Sequence, residues 1–218
     1  LTLLWLVVGY SLAFAPGNAF VGGLDHVFLR GIDIKSTTGS IPTYLFVIFQ
    51  MTFAVLTAAL MIGSFAGRMK FSAMLVFMLL WSAFVYAPIC HWVWAEGGIF
   101  FEMGALDYAG GTVVHINAGI AGLVGCLVIG KRLGYGREAM SPHNLTFTMI
   151  GACVLWIGWF GFNGGSGLAA NERAVLAILV SQIAAAAAGC SWMACEWILR
   201  GKPSLLGMVS GAVAGLVV

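Results

Sequence analysis

Five long apolar stretches, 43–66, 71–94, 108–130, 143–163 and 174–199, constrain this chain more than any other feature, and the first four contain no Asp, Glu, Lys or Arg. A helix needs ~20 apolar residues to cross a hydrocarbon core about 30 Å thick. Each stretch is therefore expected to be a transmembrane helix. The fifth holds only Glu196, near its end, where a carboxylate can reach the interface or a basic partner such as Arg200. Two further apolar runs, 1–14 and 204–218, stop at the chain ends, and with no initiator Met the chain reads as an internal piece of a larger polytopic protein. The run 1–14 lacks the basic flank of a signal peptide.

Composition agrees: 61% of the side chains are hydrophobic and 8% are charged, against about 25% charged in a soluble domain. A net charge of +2 from ten basic and eight acidic residues leaves no electrostatic footprint for nucleic acid. Cys90, Cys126, Cys153, Cys190 and Cys195 form no CxxC pair, so neither a zinc site nor a disulfide framework is expected, and they read as small core packers. No metal or other cofactor is called for.

Basic residues set the orientation, since they accumulate on the cytoplasmic side. Arg68, Lys70, Lys131, Arg132, Arg137, Arg200 and Lys202 fall on one side of the predicted spans. Arg30, Lys35 and Arg173 fall on the other, together with Asp25, Asp33, Glu96, Glu102, Asp107 and Glu172. The acidic loops then face outward, and the first partial span runs toward them. Segment 15–42 reads as a long external loop with room for a short interfacial helix. In 108–130, the pairs Ala118/Gly122 and Ala121/Gly125 have the four-residue spacing that lets helices approach closely in lipid.

A few residues need a reason to be where they are. His115 is ionisable and inside a span, with Gly119 and Gly122 on its face. It either offers a donor and an acceptor to a small polar solute or bonds to another helix. Asp107 lies at the outer mouth of the same span. It fits an N-cap for the amides of Ala109 and Gly110, and equally a fixed negative charge that attracts a cation. Phe49 and Phe53 share a face, Trp94 closes its span on the outside, and Trp159 and Phe162 end another. Such rings serve as an interfacial belt or, turned toward a pore, as a cation-attracting surface. In Phe162-Asn163-Gly164-Gly165-Ser166-Gly167, the glycines suggest a loop that presents the Ser166 hydroxyl as an acceptor. GxSG also resembles the nucleophile loop of rhomboid intramembrane proteases, but His26, His91, His115 and His143 all precede Ser166, so the usual downstream base is missing from this stretch.

Three motifs carry a closer likeness: Leu106-Asp107-Tyr108-Ala109-Gly110-Gly111-Thr112-Val113-Val114-His115-Ile116-Asn117-Ala118-Gly119, then Trp156-Ile157-Gly158-Trp159-Phe160-Gly161-Phe162-Asn163-Gly164-Gly165-Ser166, then Arg200-Gly201-Lys202-Pro203-Ser204. With them the chain, over nearly all of 1–218, resembles ammonium transporters of the Amt/Rhesus superfamily. The resemblance implies an all-α polytopic plasma-membrane protein, not an enzyme: an eleven-helix bundle of two inverted five-helix repeats, assembled as a homotrimer with one pore per subunit. This chain would supply the second through eighth helices, the outer two truncated. The resemblance further implies that Trp94, Phe53 and Ser166 recruit ammonium, that Phe53 and Phe162 form a gate, that Asp107 supports the site, and that His115 lines the pore as the first of two histidines. A cytoplasmic regulator of the PII type is an expected partner, with the loops containing Arg68 and Lys131 as candidate docking sites. An ammonium-sensing receptor using the same site is the alternative, and an intramembrane serine hydrolase a more distant one.

Overall fold

A bilayer offers no water to unpaired backbone groups, so apolar runs must close their own hydrogen bonds as helices. The computed structural model of the chain describes Leu1–Val217, and all five stretches are helical in it. In chain order the helices are α1 (Thr2–Phe14), α2 (Thr43–Phe65), α3 (71–94), α4 (Gly111–Ile129), α5 (Leu145–Gly165), α6 (Glu172–Arg200) and α7 (Leu205–Val217). The expected boundaries hold to within three residues for the five full spans. The chain divides into two compact units, Leu1–Tyr135 and Gly136–Val218.

The first unit contains α1 to α4. Three of its helices carry a widened, π-helical turn: Trp5–Gly9 in α1, Ser82–Tyr86 in α3 and Gly111–Ile116 in α4. The one in α3 has a visible cause. Pro88 has no N–H for the carbonyl a turn earlier and its ring would crowd that carbonyl, and a wider turn just before it relieves both problems. Phe53, Met61, Phe65, Tyr86, Val113 and Val114 fill the core. The paired small residues behave as expected. A side chain at Gly122 would stand 2.7 Å from Ser64 Oγ, and one at Gly125 would strike the Phe65 ring, so α4 lies close against the end of α2.

The long loop has no interfacial helix beyond a single 3-10 turn at Val27–Leu29. Instead it is pinned to the end of α3. His91, 1% exposed, has Nδ1 2.9 Å from the Ala13 carbonyl and Nε2 2.9 Å from the Asn18 carbonyl. Trp92 Nε1 donates to Phe20 O at 2.6 Å, and the Ile99 amide donates to Ala19 O at 3.0 Å. A two-residue hairpin, Thr37–Thr38 against Ile41–Pro42, leads into α2.

The second unit is a three-helix arrangement of α5, α6 and α7. Asn144 and Asn171 cap α5 and α6 by accepting from Phe147 N at 2.9 Å and Ala174 N at 3.0 Å. Gly207, Gly211 and Gly215 fall on one stripe of α7. A Cβ at Gly211 would come within 2.6 Å of Ala188 O and 2.8 Å of Trp192 Cβ, so these glycines let α6 and α7 touch along their backbones. Gly201, at φ +78°, ends α6 in the left-handed conformation. Glu196 does reach Arg200, at 3.9 Å, but its closer partners are Ser204 N (2.7 Å) and Ser204 Oγ (2.8 Å), which tie the α6–α7 turn shut.

Two expectations are corrected here. Gly164 and Gly165 do not form a loop; they complete the last turn of α5, and the missing side chain at Gly164 makes room for Ile178, which would stand 2.8 Å from a Cβ there. The left-handed backbone falls instead at Leu168, φ +50°. Among the cysteines only Cys90 is fully buried; Cys126 is half-buried and Cys153, Cys190 and Cys195 are exposed, so core packing accounts for one of the five.

Candidate functional site

The site in the first unit starts from the entry into α4. Gly110 has φ +105°, open only to a residue without a side chain, and a Cβ there would meet Val114 Cγ2 at 2.6 Å. This sharp entry leaves the first amides of α4 pointing back at Asp107. Its Oδ1 accepts from Gly110 N at 2.6 Å, and its Oδ2 accepts from Thr112 N at 2.8 Å and Val113 N at 2.9 Å. The capping role is thus real, but it reaches Gly110, Thr112 and Val113 where Ala109 and Gly110 were expected. Three amide donors at the positive end of a helix thus converge on the two carboxylate oxygens.

The same residue positions the first aromatic side chain. Trp94 Nε1 donates to the Asp107 main-chain carbonyl at 2.8 Å, fixing the indole at the end of α3. Its ring meets Phe53 edge to face, with centroids 5.4 Å apart and planes at 88°. Phe53 in turn meets Phe49 at 4.8 Å and 77°. Phe53 is 1% exposed, whereas Trp94 and Asp107 are half-buried. Trp94, Phe53 and Asp107 therefore form one cluster. It combines π surface, a helix entry and a carboxylate, and its indole N–H is occupied by the scaffold.

His115 sits further into α4, inside the widened turn, where its amide bonds to Gly110 O at 3.0 Å, five residues back. It is about one turn into the helix, because α4 begins at Gly111, three residues after the apolar stretch begins at 108. The face assignment stands. His115, Gly119 and Gly122 line one groove of about 390 Å³ together with Leu60, Ser64 and Cys126. The glycines leave the room, and the imidazole is the polar group at the groove end nearer Asp107.

Phe162 and Ser166 belong to the second unit, at the end of α5. Ser166 Oγ donates to the Phe162 carbonyl at 2.8 Å. With its proton committed to that bond, the hydroxyl presents only lone pairs to a ligand, which suits a donor such as a cation with N–H groups and not an anion. Phe162 packs against Trp159 at 4.9 Å and joins the core of Trp159, Ala185 and Leu216. Asn163 Nδ2 bonds to Ser181 Oγ at 2.6 Å and Leu216 O at 3.2 Å, locking this end of α5 to α6 and α7.

Sequence reasoning passed over two positions. Gly110 supports the whole Asp107 arrangement, and its signal was the Gly110-Gly111 pair directly ahead of an apolar helix. His91 sits between the Ala13 carbonyl of α1 and the Asn18 carbonyl of the long loop; a single histidine in an apolar run carries no local signal of such long-range contacts. Among the described residues, no group of three or more His, Cys, Asp or Glu could hold a metal ion.

A multi-pass helical membrane protein with an aromatic and carboxylate cluster above a histidine-bearing groove is the class that this fold and site define. The model of the Ammonium Transporter Family matches residues 1–218. The chain belongs to that family. It is 50% identical to the ammonium transporter of Bacillus subtilis, over 99% of this chain and 53% of the relative. It superimposes on the crystal structure of Saccharomyces cerevisiae Mep2 with a TM-score of 0.91 at 40% identity, covering 99% of this chain and 50% of that one. A structure described as a Sensor Amt Protein matches with a TM-score of 0.89 at 30% identity, over 99% of this chain and 55% of that one. The chain thus spans about half the length of the relatives it matches.

Proposed function

We propose that the protein carrying this chain transports ammonium across the plasma membrane by capturing the cation on Trp94, Phe53 and Ser166, removing its proton near the Phe53 and Phe162 rings, and passing neutral ammonia along the groove beside His115. The observation that carries this reading is the Trp94–Phe53–Asp107 cluster. Ring faces attract a cation by about 0.5–1 kcal/mol when exposed and ~2 kcal/mol or more when desolvated. The Asp107 carboxylate at the helix entry adds a longer-range attraction that salt screens over about 10 Å. The acceptor-only Ser166 hydroxyl supplies a hydrogen-bond partner that can replace part of the ammonium water shell.

Proton removal follows from the cost of the alternative. An intact ion entering an apolar bore loses its hydration without a compensating counter-charge. Neutral ammonia keeps one lone pair and three N–H groups, which a neutral imidazole can both donate to and accept from. His115, in a groove otherwise lined by Leu60, Ser64, Ala118, Gly119, Gly122, Leu123 and Cys126, is the group placed to do so. In this reading the pore is completed by a second histidine, in an eleven-helix subunit of a homotrimer, and a PII-type protein docks on the basic loops.

The test is isotopic methylammonium or ammonium uptake by the full-length protein, with Trp94→Ala and His115→Ala as variants. Both are expected to lower uptake strongly, Trp94→Ala through apparent affinity and His115→Ala through the maximal rate. Wild-type rates in both variants would overturn the mechanism. The similarity to the Sensor Amt Protein favours one second reading, an ammonium receptor that keeps the capture site. Specific ammonium binding without net uptake by the wild-type protein would select it.

A further inference from the structure

The end of the His115 groove farthest from Asp107 is flanked by an arrangement that neither the capture site nor the histidine explains. Two helices, α2 and α4, end there side by side, and helix C-termini present unpaired carbonyls and about half a negative charge each. Carbonyls at such ends are natural cation ligands, a use to which membrane transporters put them. Here those carbonyls are occupied. The Arg68 guanidinium donates through Nη1 to Gly130 O, just past the end of α4, and through Nη2 to Ser64 O, in the last turn of α2. Nη2 also reaches Cys126 Sγ at 3.1 Å. Arg132 Nη2 donates to Ala66 O, just past α2, at 3.3 Å. Ser64 and Cys126 are themselves groove-lining residues, so the guanidinium stands directly against the groove wall.

We propose that Arg68 is a specificity-determining residue: by occupying the carbonyls of two helix ends and placing a fixed positive charge against the groove, it denies cations the exit that neutral ammonia takes. This rests on the transport reading above and adds to the desolvation cost of the bore a second, electrostatic barrier against ions that cannot lose a proton. A guanidinium suits the task because it remains charged at every physiological pH and its planar fork engages several acceptors at once. Arg132 occupies a neighbouring carbonyl without touching a groove residue, so its part is secondary.

Potassium is the probe, because it crosses only as an ion. Potassium currents and isotopic methylammonium uptake are measured on the full-length protein in voltage-clamped bilayers and proteoliposomes. Arg68→Gln is expected to raise potassium current about tenfold over wild type, the scale of one removed charge at protein-like dielectric. Arg68→Lys should stay near the wild-type value, and Arg137→Gln, which alters an exposed loop cation, should match wild type. Ser64→Asp is the second variant: it retains Arg68 but sets an opposing charge beside the guanidinium, and it should also raise the potassium current. Arg68→Gln or Ser64→Asp protein that still takes up methylammonium but leaks no more potassium than wild type overturns the proposal. If wild type itself shows no uptake, the transport reading fails instead.

Discussion

Trp94 and Asp107 are joined by a 2.8 Å hydrogen bond from the indole N–H to the Asp107 main-chain carbonyl, so the ring that is proposed to meet ammonium is oriented by the residue that caps α4. The bond makes two contributions of Trp94 separable. Trp94→Phe keeps a ring and loses the tether, whereas Trp94→Ala loses both. The apparent KM for methylammonium is expected to rise in both, by about 5- to 30-fold in Trp94→Ala, which matches ~1–2 kcal/mol of cation–π attraction, and by less in Trp94→Phe. Equal KM values in the two variants would show that the ring face contributes nothing.

Asp107 combines a cap with a charge, and two substitutions divide them. Asp107→Asn retains an acceptor oxygen for the α4 amides and removes the charge; Asp107→Ala removes both. Thermal unfolding in detergent should show Asp107→Ala destabilised by about 1–2 kcal/mol, with Asp107→Asn closer to wild type. Uptake should fall in both. Full uptake by a folded Asp107→Asn protein would assign the residue a purely structural role.

Gly110→Ala places a methyl group 2.6 Å from Val114 Cγ2 at a backbone angle of +105°. Strain and collision together should destabilise the first unit by about 2–3 kcal/mol. Gly119→Ala is the useful contrast, because no atom lies within 4 Å of the added methyl. It should fold normally, and any loss of uptake there would report on the width of the groove.

The turn at Asp33 gives a pH-dependent signal well away from the membrane. Hydrogen bonds from the Lys35 amide and then from Ser36 hold the Asp33 carboxyl below its ordinary range. A lowered value means that the folded turn favours the ionised form. Its contribution is complete above the ordinary carboxylate pKa of about 3.9 and is lost as pH falls through the lower folded value. The protection of the Lys35 and Ser36 amides, taken as exchange relative to the intrinsic rate at the same pH, should therefore be unchanged from pH 7 to pH 5 and fall only in stronger acid. Protection already lost at pH 5 would contradict the assignment.

Much of the fold was legible because lipid leaves an apolar stretch so few options. Helix number and most boundaries follow from where charged residues begin and end, as Arg68, Lys131 and Arg200 illustrate. The face shared by His115, Gly119 and Gly122 followed from helical spacing. What could not be read locally depends on contacts distant in sequence. Gly164 serves the approach of Ile178 from α6 and not a turn, whereas glycine pairs ordinarily signal a turn. The start of α4 depends on Asp107 folding over the amides of Thr112 and Val113, which spacing alone placed one turn too early. Arg68 read only as one of the basic loop residues that set the orientation, because nothing in its neighbourhood announces a carbonyl 62 residues further along.

The close backbone contact of α6 with α7, through Gly207, Gly211 and Gly215, has a bearing on biogenesis. A connection as short as Gly201 to Ser204 and a glycine-stripe seam allow the two segments to enter the bilayer as a prepaired hairpin. Glu196 then arrives with its carboxylate already bridged to Ser204 and Arg200. The insertion machinery would handle one sealed object in place of two separate helices.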